Sequence, residues 1–483
     1  MSIEDRSLFA SDIPIDIGIG FHNVGSGVLR ASHESMVSYV ERHYGERCGH
    51  FPFNAARLYA LVEQDTPDIR SQMAYLSELF GKTITSVTLN ELRVERERIG
   101  GSILVVPYIN VPETETSMQE ALGTQPWGLP GKLTDALKNK VNFYRLADEF
   151  QLVGFYPPDY TVVTLENLVP SAAKFLSCVE DIYQQAGMVQ NYPLGLMMRA
   201  AESDGNYGCC LLYESAAGIS LVPNGDPEHG AFYRDWQAAL LSAQEHLAGT
   251  MNTEKENRVV ISRYIDFVDS PGMSVVIMDG QVVSLGWNSQ LQKEGSKACI
   301  GTSTYIPKSL QLERKRPLYE AQTMAYFETF LRETARLCGI DFASLRGVAN
   351  IDVMIPAEPE QELQKRRKQP AGNYLAECNP RWTNYTDAIM AVLGANRKVQ
   401  SIANMKTVIR EGICTFDKYP LPEGVSLQVV RKYLAEKDAI LKQDGTRIIC
   451  RMAKNPMGLI LAGDLKRAQQ EVDAVLTSLA ISM

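Results

Sequence analysis

Two short segments constrain this chain more than any others: Gly347-Val-Ala-Asn350-Ile-Asp352-Val-Met354 and, downstream, Glu377-Cys-Asn379-Pro-Arg381. From Asn350 to Ile355 polar and apolar residues alternate between Gly347 and Pro356, which predicts a strand with Asp352 on one face. Residues 373–379 predict a second strand. On it Glu377 and Asn379, with Arg381 beyond, differ by two and project to the same side. If the strands are neighbours, two carboxylates, an amide and a guanidinium converge. Two hard anionic oxygen donors and an amide oxygen suit Mg²⁺, which keeps some of its water and shares its remaining positions with phosphate oxygens. Arg381 would then face the same phosphates. Between the strands, 356–371 is rich in Glu, Gln, Lys and Arg and is expected to be a solvated hairpin insertion.

At 483 residues the chain is long enough for two or three domains with full cores. Its 48 basic and 57 acidic residues give a net charge of −9 without long blocks. This argues against a nucleic-acid-binding surface and against polybasic membrane attachment, and it favours small molecules as partners. The nine cysteines are scattered with no C-x-x-C spacing, so they form neither a disulfide framework nor a zinc site, and a reducing cytoplasm fits them best. The N-terminus lacks the basic-then-apolar pattern of a secretion signal, and no apolar run approaches membrane-spanning length. A soluble cytoplasmic protein is expected.

Along the chain, 13–27 predicts a strand entering a turn that carries Gly18, Gly20, Gly25 and Gly27; the spacing fits neither a dinucleotide nor a P-loop fingerprint. A buried strand at 102–107, with helices between, completes an α/β unit. Residues 138–150 have helical periodicity and stop at Gly154 and Pro157-Pro158, ahead of a strand at 160–164. A helix near 169–185 leads to strands at 194–199 and 209–213. The turn-rich loop between them, 202–208, reads either as a plain hairpin or as a lid whose backbone N–H groups face phosphate. A β-branched strand follows at 258–265. Asp279-Gly280 joins 274–278 to 281–284 as a hairpin, a helix is expected from Pro317 to Cys338, and 446–450 and 458–462 pair before a terminal helix at 464–479.

These pieces in this order resemble the ATP-grasp superfamily, which includes D-alanine–D-alanine ligase, biotin carboxylase and the amino-acid and peptide ligases. Coverage runs from about residue 138 to the end. The resemblance implies that Lys140 is the first phosphate-contacting lysine and that Arg199 takes the second phosphate position, where a lysine is usual. It further implies a lid at 202–208 containing Gly205 and Gly208, and a hinge of Ser262, Arg263, Tyr264 and Ile265 that meets adenine through its backbone. The ribose-binding acid falls on Asp269 or Asp266. Asp352, Glu377 and Asn379 match the Mg²⁺ ligands, and Arg381 matches the arginine two residues beyond the asparagine in biotin carboxylase, a catalytic position. The implied fold class is α/β (α+β): an α/β pre-grasp domain at 1–137, a central ATP-grasp part at 138–265 with the lysine, lid and hinge, and a C-terminal part at 266–483 with the metal site and a final strand pair and helix.

What the resemblance implies chemically is a ligase using ATP and Mg²⁺ to join a small carboxylate to an amine, in the same or another molecule, through an acyl phosphate. A kinase-like phosphotransferase and a catalytically silent nucleotide-binding regulator are the rival readings. The expected partners are small-molecule carboxylate and amine substrates, without nucleic acid or membrane, and a homodimer is a candidate assembly.

Overall fold

The computed structural model describes residues 2–10, 13–37, 50–99, 101–188, 194–202, 207–292, 299–421, 423–451 and 457–481. Four short parallel strands form the first sheet, in the order Ile84–Val87, Arg57–Leu61, Ile17–Phe21 and Ile103–Pro107. The glycines at its start divide differently from the expectation. Gly18 and Gly20 belong to the strand, where a Cβ on Gly18 would lie 2.6 Å from the Pro52 ring, whereas Gly25 and Gly27 sit in the single wide turn Val24–Val28. The strands Arg57–Leu61 and Ile84–Val87 were not expected.

The second sheet has six strands, ordered Ala231–Tyr233, Gly218–Pro223, Cys209–Ser215, Gly195–Ala200, Arg258–Arg263 and Tyr160–Thr164. Every neighbouring pair is antiparallel. Helices Leu168–Gln185 and Trp236–Thr250 pack on it, so that Leu168, Val179, Leu240 and Leu247 share one core with Leu196 and Ile261.

Ten strands make the third sheet. Its path runs through Arg447–Cys450, Met457–Ala462, Ile413–Tyr419, Cys299–Thr304, Gln281–Gln292, Gly272–Met278, Arg346–Pro356, Asn373–Asn379 and Phe155–Tyr156, with Phe267–Asp269 paired alongside Arg346–Pro356. The expected Asp279-Gly280 hairpin is present, with φ of 49° and 73°, as the two-residue turn between twisted strands demands. One helix differs in extent: it spans Leu310–Leu337, capped by Ser309, and holds Pro317 in its interior. Burial of Leu312 before the proline and of Thr323 and Tyr326 after it outweighs the one hydrogen bond that the proline removes.

The segment 356–371 is not a solvated hairpin. It holds the helix Glu358–Arg366, with Pro in its first turn, acids at its start and bases at its end, a charge order that suits the helix dipole. Glu360, Leu363 and Gln364 are buried on one side of it. The last strand pair and the helix Leu465–Ile481 stand where the sequence indicates. Among the described residues no helix is long and apolar enough to cross a membrane, and the eight described cysteines are free thiols.

Candidate active site

The six-stranded and ten-stranded sheets face each other across a cleft of about 410 Å³. Its floor follows from strand register. Arg346–Pro356 and Asn373–Asn379 are antiparallel neighbours, and Asp352 lies opposite Glu377 as Asn350 lies opposite Asn379. All four side chains line the cleft. On the other side of Asp352 the facing residue is Gly272, which in turn faces Asn288. A Cβ on Gly272 would lie 2.7 Å from Asp352 Oδ1, 2.8 Å from Asn350 Oδ1 and 2.9 Å from Asn288 Oδ1. Only the missing side chain lets these three oxygens gather.

The two carboxylates are held together by one amide. Asn379 Nδ2 donates to Asp352 Oδ2 at 3.0 Å and to Glu377 Oε1 at 3.4 Å, while Asn350 Nδ2 donates to Asp352 Oδ1 at 2.8 Å. Lys140 supplies the first positive charge, 3.2 Å from Glu377 Oε2. It begins the helix Lys140–Phe150, whose cap is Asn139 accepting from the N–H groups of Val141 and Asn142. Arg199 is moored beside Glu377, donating to the Ala376 carbonyl at 3.0 Å and to the Tyr144 hydroxyl. Burial opposes its charge, but Tyr144 and Glu377 hold its pKa above the ordinary value. Arg381 donates to Asn379 Oδ1 at 2.9 Å and to the Tyr108 hydroxyl at 3.1 Å, with its guanidinium 5.3 Å from the centre of that ring. Tyr108 directly follows the last strand of the first sheet, so the N-terminal unit reaches the site.

Carboxylates and cations meet at the floor of the cleft. Burial, followed by the charges of Asp417, Asp352 and Glu377, pushes the Cys299 thiol up to about 12. Among the described residues no group of three or more His, Cys, Asp or Glu forms a metal site.

Most of the sequence-derived positions meet here. Lys140, Arg199, Asp352, Glu377, Asn379 and Arg381 line the cleft together, as do Ser262, Arg263, Tyr264 and Ile265 at its other end. In that second group the N–H groups of Arg263 and Tyr264 already donate to the carbonyls of Asp159 and Gly195, each at 2.9 Å. Asp269 does not reach the cleft: it is buried against the Tyr305 hydroxyl at 2.8 Å and the Lys308 ammonium at 3.1 Å. Asp266 does not line it either. Gly208 lies beside the cleft with φ of 68°, its carbonyl accepting from Ala200 N–H; Gly205 lies outside the described residues. Tyr108, Tyr144, Gly272 and Asn288 were missed as site residues. For Asn288 the period-2 run with Gln290 and Gln292 was a usable signal.

Aligned with solved structures, the chain matches an N5-carboxyaminoimidazole ribonucleotide synthetase in its ADP complex over 97% of its own length and 97% of that chain, with a TM-score of 0.51 and 11% identity. It matches the N5-carboxyaminoimidazole synthase of Aspergillus clavatus, complexed with ADP and 5-aminoimidazole ribonucleotide, over 97% of its own length and 100% of that chain, with a TM-score of 0.50 and 11% identity. This protein has the ATP-grasp fold. No protein-family model and no curated protein matches the sequence. The likeness therefore lies in the ATP-grasp architecture. In that architecture Asp352, Glu377 and residues 262–265 line one cleft between the facing sheets.

Proposed function

We propose that this protein is an ATP-dependent carboxylate–amine ligase that forms an amide and releases ADP and phosphate. The observation that carries the reading is the convergence of Asp352, Glu377 and Asn379 with Lys140, Arg199 and Arg381 in one cleft. The two structural neighbours hold ADP, which supports nucleotide use here. A carboxylate is a poor electrophile because its leaving group would be oxide, so it must first accept a phosphoryl group. The protein's part in such a transfer is positioning and charge neutralisation.

Mg²⁺ would be held by Asp352, Glu377 and Asn379, and it would supply positive charge against the phosphates. Asn379 now turns its amide nitrogen to both carboxylates; a half-turn about its terminal torsion, which is broad and two-fold, would present its oxygen instead. Lys140, from the start of its helix, and Arg199, from the facing six-stranded sheet, would bind phosphate oxygens. Residues 262–265 would lie along the base. Arg381, held by the Tyr108 hydroxyl and the Trp382 carbonyl, would stabilise charge on the phosphoryl group in transfer and then on the oxyanion formed when the amine adds, a task suited to a preorganised cation.

The test is trapping with hydroxylamine. Purified protein with ATP, Mg²⁺ and a panel of small carboxylates should form ADP together with the hydroxamate of one class of acid. A stable phosphorylated acid without hydroxamate would favour a phosphotransferase, and ADP formation that no acid stimulates would refute the ligase.

A further inference from the structure

The strand Arg258–Arg263 ends in a buried charge that the chemistry above does not use. The Arg263 side chain is fully enclosed. Its Nη2 and Nη1 reach Glu360 Oε1 and Oε2 at 2.6 and 2.9 Å, and its Nε reaches Asp159 Oδ2 at 3.0 Å. Glu360 is also wholly buried, and its Oε1 accepts from the Tyr374 hydroxyl at 2.7 Å. Asp159 is gripped from the other side by both terminal nitrogens of Arg367 at 2.8 Å. Burial pushes the Asp159 carboxyl up, but Arg367 and Arg263 together hold it below the usual carboxylate range.

Four elements meet at this point. They are the end of the strand Arg258–Arg263, the residue preceding Tyr160–Thr164, the helix Glu358–Arg366 and the strand Asn373–Asn379, which also carries Glu377 and Asn379. A buried ion pair is a weak source of stability, since its desolvation offsets most of its Coulomb attraction and apolar replacements often do as well. What a bidentate guanidinium–carboxylate pair does supply is direction, because both groups are planar and two parallel bonds fix their mutual orientation. Here the fixed group is attached to the residue whose neighbours, Tyr264 and Ile265, line the base end of the cleft.

We propose that Arg263 and Glu360 are positioning residues: their buried pair locks residues 262–265 against the strand carrying Glu377 and Asn379, and so sets the cleft to accept the base of the nucleotide. The inference rests on the nucleotide-binding reading of the cleft. It gives the helix Glu358–Arg366 a role beyond filling space between two metal-site strands.

The experiment is calorimetric titration of the full chain with Mg-ADP and, separately, with Mg-tripolyphosphate, which has the phosphates but neither base nor ribose. The variant R263M/E360L fills the same volume without charge. The variant E360D keeps the charge but falls short of the guanidinium. For R263M/E360L the dissociation constant for ADP should rise about tenfold, the order seen when a supporting shell is removed, while tripolyphosphate binding and the melting temperature stay as in the wild type. E360D should show the same split at smaller size, and it decides the question if the double variant does not fold. Unchanged ADP affinity, or equal weakening of both ligands, would overturn the proposal. A wild type that binds neither ligand would instead remove the nucleotide reading on which it stands.

Discussion

Gly272→Ala is the smallest change that should disable the floor of the cleft. Gly272 lies outside the positive-φ region, so alanine brings no backbone strain and the effect is purely steric. The new methyl group would stand 2.7, 2.8 and 2.9 Å from the oxygens of Asp352, Asn350 and Asn288, where ordinary contact begins at 3.4 Å. Each oxygen must therefore retreat by roughly half an ångström or more, against the hydrogen bonds that tie Asp352 to Asn350 and Asn379. Overpacking of this kind costs about 1–3 kcal/mol, a loss that a folded chain of this size can carry. Asp352 is displaced from the position that would meet Mg²⁺, and a shift of this order at a reacting centre lowers affinity or rate by about tenfold to a hundredfold. The assay is ADP binding by calorimetry across a Mg²⁺ titration. The variant should need far more Mg²⁺ to reach wild-type ADP affinity, yet bind metal-free ADP as the wild type does. An unchanged Mg²⁺ dependence would refute the argument that these oxygens form the metal floor.

Three further outcomes are expected. Glu377→Gln or Asp352→Asn should lower acid-dependent ADP release by about a hundredfold with melting temperature little changed, as measured by coupled assay and calorimetry. Lys140→Ala should mainly raise the KM for ATP, whereas Arg381→Ala should mainly lower kcat, because Arg381 is placed to meet charge that develops during reaction; steady-state kinetics on both variants separates the two signatures. For Glu202, burial raises the carboxyl, but the Arg30 guanidinium and Lys138 outweigh it and hold it at about 2 against an ordinary 4.5. A depressed pKa stabilises the fold above the unfolded value, so about 3 kcal/mol should be present above pH 4.5 and be lost as pH falls towards 2. Urea denaturation of Glu202→Gln should show a flatter pH dependence in that window.

The strands that carry Asp352 and Glu377 were legible because each has its own period. Asn350 and Asp352, like Glu377 and Asn379, alternate with apolar residues that enter the core, and a period of two is visible within seven residues. The Asp279-Gly280 turn was legible for a similar reason, since only certain residues tolerate positive φ in succession. What sequence could not reveal were pairings set by distant partners. Glu360 looks like one more surface charge until Arg263, 97 residues away, is brought against it. The same helix was hidden by its polar composition, although the spacing of Glu360, Leu363 and Gln364 at three and four residues marks a buried face. Asp269 was chosen for its charge near the hinge. The fold turns it instead toward Tyr305 and Lys308, a choice made by strand pairing and not by local pattern.

The central claim is that a substrate carboxylate takes a phosphoryl group in this cleft before an amine displaces it. The most direct measurement is isotope transfer from a carboxylate labelled with ¹⁸O. If an acyl phosphate forms, one labelled oxygen leaves with the phosphoryl group, so the account predicts ¹⁸O in inorganic phosphate in step with amide formation and ADP release. Label in AMP, with pyrophosphate released, would contradict it.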